Sequence, residues 1–221
     1  MQTGKTIIQD SQAAMDYDNQ AKATDWFGSD VVFGLAYEFV MPGESILDVG
    51  IGSGLSSISF HKIGLRVYGL DGSSEILKVC AAKNFTVELK QHDLCQTPLP
   101  YSSGCFNHIV SVAVLNSFED LGPLFAEFTR IMQGGGILAF TVENQKPGQP
   151  DRYPINRVEV SEQAREGLAV MLYRHSSATI AQLLEQNSFV SLKELEFVAF
   201  KYPAEDRDVL FKAYIARKKE Q

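Results

Sequence analysis

From Ser45 to Glu143, short β-branched runs alternate with amphipathic stretches, and this alternation limits what the chain can fold into. The segment "SILDVG" reads as a buried strand, and "RVYGLD", "FTVELKQHD", "FNHIVSVAV" and "GGILAFTVE" as four more strands. Between them, "GLSSISFHKIG" reads as a helix stopped by Gly64, and "SSEILKVCAAKN" as one capped by Ser73 or Ser74 and ending at Asn84. "LGPLFAEFTRIM" reads as a third helix, with Pro123 in its first turn. Strands joined through helices pair in parallel with right-handed crossovers, which gives a doubly wound α/β sheet. Residues 1–44 read as N-terminal helices, "SQAAMDYDNQAKATDWFG" and "SDVVFGLAYEFV". The segment "NQKPGQPDRYPINRVEV", residues 144–160, is polar, Pro-rich and irregular. Residues 176–221 form a helix and then a hairpin, "SLKELEFVAFK" and "VLFKAYIARK". The expectation is a single domain over 1–221.

Bulk properties narrow the function. A net charge of −7 disfavours a broad phosphate-neutralising surface, so nucleic acid is not the expected substrate. No apolar run approaches the roughly 18–20 residues needed to span a bilayer, and the start lacks a basic segment followed by an apolar block. No membrane association and a cytoplasmic location are expected. Cys80, Cys95 and Cys105 make no C-x-x-C pair, which argues against a structural metal site, and no metal is expected.

In such sheets ligands bind beyond the carboxyl ends of the strands, where this sequence places glycines and acids. Gly50, Gly52 and Gly54 follow the first strand with G-x-G-x-G spacing; the dinucleotide fingerprint would need glycine where Leu55 stands. Asp71 ends the second strand about 20 residues further on, where an acid can accept both hydroxyls of a ribose. Asp93 ends the third strand and can either receive an adenine amine or cap the turn toward Pro98. Asp48 lies inside the first strand, where a buried acid needs a partner: loop amides or a cationic ligand. An acid-lined site suits a ligand with a positive centre better than a pyrophosphate, which prefers bare amides.

The ordered series "ILDVGIGSG", "VYGLDGSSEIL", "QHDL", "TPLPYSSGCFNHIVSVAVL" and "LFAEFTRIMQGGGILAFT" resembles the class I S-adenosylmethionine-dependent methyltransferases, and most closely their small-molecule "type 11" branch. The resemblance implies a three-layer Rossmann-like fold with a seven-stranded sheet, mostly parallel with an antiparallel last strand. It makes 45–143 the cofactor-binding half and S-adenosylmethionine the cofactor, with S-adenosylhomocysteine as product. By the same resemblance, Gly50, Gly52 and Gly54 meet the amino-acid part of the cofactor, and Asp71 and Gly72 meet the ribose. Asp93 and Leu94 lie at the adenine, Ser111 and Val112 at the methionine moiety, and Tyr17 closes over the ligand.

Methyl transfer from a sulfonium is an in-line displacement that needs alignment and dryness before it needs a base. Asn116 and Ser117 stand where many small-molecule relatives carry histidines, so no catalytic residue is assigned. Asn116, Arg152, Tyr153, Arg157, Tyr173, Arg174 and His175 are the candidates to face a small-molecule acceptor, with 144–175 as a lid. The acceptor atom and the oligomeric state have no signature in the sequence. Two other readings are carried: a non-catalytic S-adenosylmethionine-binding or regulatory protein, left open by Asn116 and Ser117, and behind it an NAD-dependent oxidoreductase, against which Leu55 and Asp48 count.

Overall fold

The computed structural model describes residues 11–24, 26–156, 169–202 and 207–220. Helices are α1 (Ser11–Ala23), α2 (Gly28–Ala36), α3 (Ile58–Lys62), α4 (Ser74–Ala82), α5 (Gly122–Ile131) and α6 (Ser177–Gln186). Strands are β1 (Ser45–Val49), β2 (Arg66–Asp71), β3 (Thr86–Gln91), β4 (His108–Ser111), β5 (Ile137–Glu143), β6 (Arg152–Asn156), β7 (Ala169–Tyr173), β8 (Phe189–Tyr202) and β9 (Arg207–Lys218). Seven of these form one sheet in the order β3-β2-β1-β4-β5-β9-β8. Strands β1 to β5 pair in parallel, and the last strand, β9, runs antiparallel to both β5 and β8. The doubly wound sheet expected from the sequence is therefore present, and its strand order reverses between β1 and β4.

Both faces of the sheet's centre are buried, which is why β1, β4 and β5 read as nearly continuous apolar runs. Leu47, Val49, Leu70, Phe140 and Val142 look toward α5 and α6, where Phe125, Phe128, Ile180 and Leu184 fill the space. Ile46, Val67, Val110 and Ala139 look the other way and pack with Val32 of α2, Phe60 of α3 and Cys80 of α4. Asp48 has the parity of Ile46, so it enters this second, otherwise apolar layer.

Several elements differ from the sequence reading for local reasons. Helix α1 stops at Ala23, where the Thr24 hydroxyl donates to the Gln20 and Ala21 carbonyls and Trp26 turns its ring edge-on to Phe211. Helix α3 begins only at Ile58, because the residues before it form a turn in which the Ser57 amide donates to the Gly54 carbonyl. Strand β4 ends at Ser111 because Ala113 takes a left-handed φ of 59° and gives its amide to the Thr141 hydroxyl. The segment read as irregular contains β6, which forms an antiparallel ribbon with β7, Pro154 opposite Met171; proline is tolerated there because a two-stranded ribbon is all edge.

The β3–β4 crossing, residues 92–107, is a loop fastened by α5. The Leu99 amide donates to Glu127 at 2.6 Å, and the Arg130 guanidinium donates to the carbonyls of Tyr101 and Leu99 at 2.7 and 3.0 Å. At the far end of the sheet the Ile137 amide donates to His108 Nδ1, so His108 Nε2 carries the proton and donates to Glu44 at 2.8 Å.

Two glycines give opposite predictions. A Cβ on the buried Gly136 would lie 1.9 Å from the carbonyl oxygen of Asn107, backbone that cannot yield, whereas nothing lies within 4 Å of one on the exposed helical Gly34. Gly136→Ala should lower the unfolding free energy by about 3 kcal/mol, and Gly34→Ala should raise it by about 0.5–1 kcal/mol. Urea unfolding checks both; a Gly136→Ala protein as stable as the parent contradicts the packing.

Candidate active site

Beyond β1 the chain turns through Gly50, Gly52 and Gly54, with φ of 79°, 54° and 90°. The amides of Gly50 and Ile51 both donate to the Leu70 carbonyl, at 2.7 and 3.0 Å, and fold the turn over the end of β2. A Cβ on Gly50 would stand 2.4 Å from Val114, and one on Gly54 would stand 2.4 Å from Phe85, so packing alone requires glycine at both. Gly52 is different: its flank is open space within 4 Å. Its left-handed φ and its bare side leave backbone that a ligand can approach closely.

Asp71 stands beside this opening at the end of β2. Its carboxylate accepts the amides of Gly52 and Ser73, each at 2.9 Å. A carboxylate has about four acceptor positions, so capacity remains for hydroxyl donors. Burial pushes its pKa up, opposed by the amides of Ser73, Gly52 and Gly72. Asp48 is 1% exposed and lies in register with Gly69 of β2 and Val110 of β4. The Ser57 hydroxyl donates to its Oδ2, while Oδ1 is buried with no hydrogen-bond partner among the described residues. Burial pushes its pKa up to about 7; the Ser57 bond works against this and the Asp71 charge adds to it.

Tyr17 is carried by α1 and is half-buried. Its phenol is pushed up by burial, then by the charges of Asp71, Asp18 and Asp48, which puts the ring in the field of the same acids. Cys80 is buried beside Gly54, and burial with the Asp48 charge pushes its thiol up to about 12, so it stays protonated. The other expected cofactor residues lie along the same edge. Asp93 Oδ1 accepts the Cys95 amide at 3.0 Å and its carbonyl accepts the Gln96 amide at 2.8 Å, so its carboxylate also caps the turn after β3. Leu94 packs partly buried against the α5 face, and the Gly72 carbonyl accepts from Gln91. The Ser111 hydroxyl donates to the Val49 carbonyl at 2.9 Å, and Val112 is buried behind it.

The residues expected to face an acceptor divide into two groups. Asn116, in a short 3-10 turn after β4, is 8% exposed, its Oδ1 is buried, and it has no hydrogen-bond partner there. Tyr153, Arg174 and Glu143 form a cluster instead. The Arg174 Nε donates to Glu143 at 2.8 Å, the Tyr153 hydroxyl donates to the same carboxylate at 2.6 Å, and the guanidinium stacks over the Tyr153 ring at 4.0 Å. This cluster pins the ribbon to the end of β5. Tyr173 is buried opposite Arg152, which reaches Glu119 at 3.4 Å. His175 donates from Nε2 to the Phe118 carbonyl at 3.1 Å, and burial pulls its pKa down, so the ring is neutral. Arg157 lies outside the described residues. Among the described residues, no group of three or more histidines, cysteines and acids is placed to hold a metal ion, and no helix is long and apolar enough to cross a membrane.

Sequence reading did not single out Asp18, whose Oδ1 accepts the Ser53 hydroxyl and whose Oδ2 accepts the Lys83 ammonium, both at 2.5 Å. Glu143 was also missed. No local pattern announces either, because their partners are distant in sequence.

The methyltransferase-domain family profile matches residues 47–140, the span from Leu47 through the glycine turn to Phe140 of β5. Over this stretch the chain is similar to the methyltransferase-domain family. A demethylmenaquinone methyltransferase of Chlorobaculum parvum is 35% identical over 107 residues, covering 48% of this chain and 43% of that enzyme. The chain thus spans under half the length of this relative. Among solved structures, a methyltransferase of Methanosarcina mazei superposes with a TM-score of 0.70 at 17% identity, over 85% of this chain and 98% of that one. Magnesium protoporphyrin IX methyltransferase of Synechocystis, solved with S-adenosylhomocysteine, gives 0.61 at 19% identity, over 90% and 83% of the two chains. At these identities the likeness is one of fold.

The residues present suit the family's cofactor, S-adenosylmethionine. Gly52 offers open backbone, Asp71 keeps acceptor capacity for hydroxyls, and the unpartnered Asp48 oxygen gives a positive group a counter-charge in a layer that is otherwise apolar.

The Asp48 carboxyl titrates higher in the fold than its usual 3.8. The folded chain therefore holds that proton longer than the unfolded one, and its stability falls as pH rises from about 4 to about 7. Asp48→Asn lacks this dependence. The melting-temperature gap between Asp48→Asn and wild type should widen in the variant's favour by roughly 5 °C from pH 5 to pH 8. A gap that stays constant in a thermal-melt series would contradict the buried, part-paired Asp48.

Proposed function

We propose that this protein transfers a methyl group from S-adenosylmethionine to a small-molecule acceptor. The observation that carries the reading is the acid-rimmed glycine turn, in which Gly52 is open on one side and Asp71 is held beside it by the Gly52 and Ser73 amides. The bound cofactor supplies an activated methyl group on a sulfonium. The protein's share is to bind, align and exclude water. Asp71 accepts the ribose hydroxyls, Asp48 balances positive charge, and Tyr17 covers the ligand from α1.

The acceptor enters beyond β4, where Asn116 offers an amide whose Oδ1 is buried and unpartnered. An amide is not a base at neutral pH; it orients. Its carbonyl would take a hydrogen bond from the acceptor and so aim the nucleophile at the methyl group. The ribbon β6–β7, anchored by Glu143, Arg174 and Tyr153, walls this side, and neutral His175 holds the Phe118 carbonyl in place. Small-molecule acceptors accord with demethylmenaquinone and protoporphyrin, named for the similar enzymes.

Isothermal titration should detect S-adenosylmethionine and S-adenosylhomocysteine with micromolar affinity, in the range of about 1 μM to 1 mM usual for enzyme ligands; binding of neither overturns the reading. Asp71→Ala should weaken both by at least about thirtyfold, since two buried hydroxyls lose their acceptor. A radiolabelled methyl-transfer screen across metabolite pools should then identify an acceptor. With that acceptor, Asn116→Ala should lower kcat by about 10- to 100-fold with cofactor affinity unchanged.

A further inference from the structure

We propose that Asp18 is a positioning residue: it latches α1 onto the glycine turn, so that the helix carrying Tyr17 and the loop cradling the cofactor close as one unit. The inference rests on the function proposed above and names a residue outside the family's glycine and acid motifs.

Helix α1 has little apolar grip on the body. Among its residues only Ala14 is buried. Its polar attachments to the body include the Ser11 hydroxyl, which donates to Glu75 of α4 at 2.7 Å, and two contacts of Asp18. Those two contacts reach different elements. One carboxylate oxygen takes the hydroxyl of Ser53, which sits between Gly52 and Gly54 and is 1% exposed. The other takes the ammonium of Lys83, immediately after α4, in a pair whose side chains are 24% and 25% exposed.

With α1 in place Ser53 is enclosed and Asp18 accepts its hydroxyl, so removing Asp18 leaves that hydroxyl buried without this acceptor and disfavours the closed helix. Tyr17 is the neighbouring residue, so the backbone that sets Asp18 also sets the ring. A ligand beneath Tyr17 can leave only when both contacts of Asp18 release. The latch therefore governs how long the cofactor product stays bound, and it acts through the turn and the ring without touching the reacting atoms. Because the Lys83 pair is a quarter exposed, salt weakens one arm of the latch and leaves the Ser53 arm in place.

The test uses the full chain with S-adenosylhomocysteine as probe. Release is followed by loss of radiolabel and by the fluorescence of Trp26. This is the chain's one tryptophan, and its amide donates to Ala21 in the last turn of α1. Asp18→Ala should speed release by about tenfold, the equivalent of one lost charge-assisted contact. Asp18→Asn, which keeps an acceptor for Ser53, and Lys83→Met, which removes only the cation, should each fall between wild type and Asp18→Ala. Salt should accelerate release from wild type and leave Lys83→Met unmoved. The ligand-free melting temperatures should stay within about 3 °C of wild type, which a purely structural role would not allow. Release from all three variants at the wild-type rate overturns the latch, as does a faster release matched by an equal loss of ligand-free stability. A wild-type chain that binds no S-adenosylhomocysteine removes the functional reading together with the latch. A binding wild type with unchanged variants removes the latch alone.

Discussion

The Gly52 amide donates to Asp71 across the gap between β1 and β2, and the carboxyl edge of the sheet is organised around that bond. Three glycines in left-handed conformations make a turn with little intrinsic preference for one shape. What selects the shape is the end of β2: its Leu70 carbonyl gathers the amides of Gly50 and Ile51, and its terminal carboxylate takes the next free one. The same carboxylate accepts the Ser73 amide ahead of α4. One side chain thus fixes the entry to the turn and the start of the following helix. Val114, lying against Gly50, transmits the position of β4 to the same place.

The electrostatics follow from this geometry. Asp48, Asp71 and Asp18 surround Tyr17, and burial holds both the phenol and the Asp48 carboxyl toward their neutral forms. Such a cluster favours a positively charged guest and resists a phosphate, the reverse of a turn built only of amides at a helix N-terminus. The acid in β1 is thus tolerable in an apolar layer for the same reason that it is selective: in the absence of a cation it holds its proton up to about pH 7.

What could be read from the sequence was whatever repeats locally. Alternating strand and helix periods gave the sheet, and the acids at strand ends gave the edge on which a site would stand, because type and spacing alone place Asp48, Gly50, Gly52, Gly54 and Asp71. Elements whose limits depend on distant partners were misjudged. Strand β4 ends where Thr141 captures the Ala113 amide, and α3 starts late because the turn consumes its first residues. Strand β6 was hidden by proline and polar neighbours, and the ribbon's anchor joins Glu143 to Arg174 across 31 positions. Arg174 and Tyr153 looked like groups free to meet a ligand, yet their polar atoms reach Glu143, a partner no local spacing could reveal. Asp18 was silent for the same reason, since Ser53 and Lys83 are 35 and 65 positions away.

The crossing from β3 to β4 has a further meaning. Where the other parallel crossovers are spanned by helices, residues 92–107 are a loop, and the Arg130 guanidinium grips two of its carbonyls from α5. A helix fixes the length of a connection by its rise; this connection is held point by point, by Glu127 and Arg130 at Leu99 and Tyr101 and by the Arg130 and Ile131 carbonyls, which take the Gly104 and Phe106 amides. Length can change at small entropic expense at the exposed Ser102 and Ser103, between the Tyr101 and Gly104 contacts. The beginning of the loop has no such freedom, because Asp93 caps its first turn on the edge that carries the candidate site.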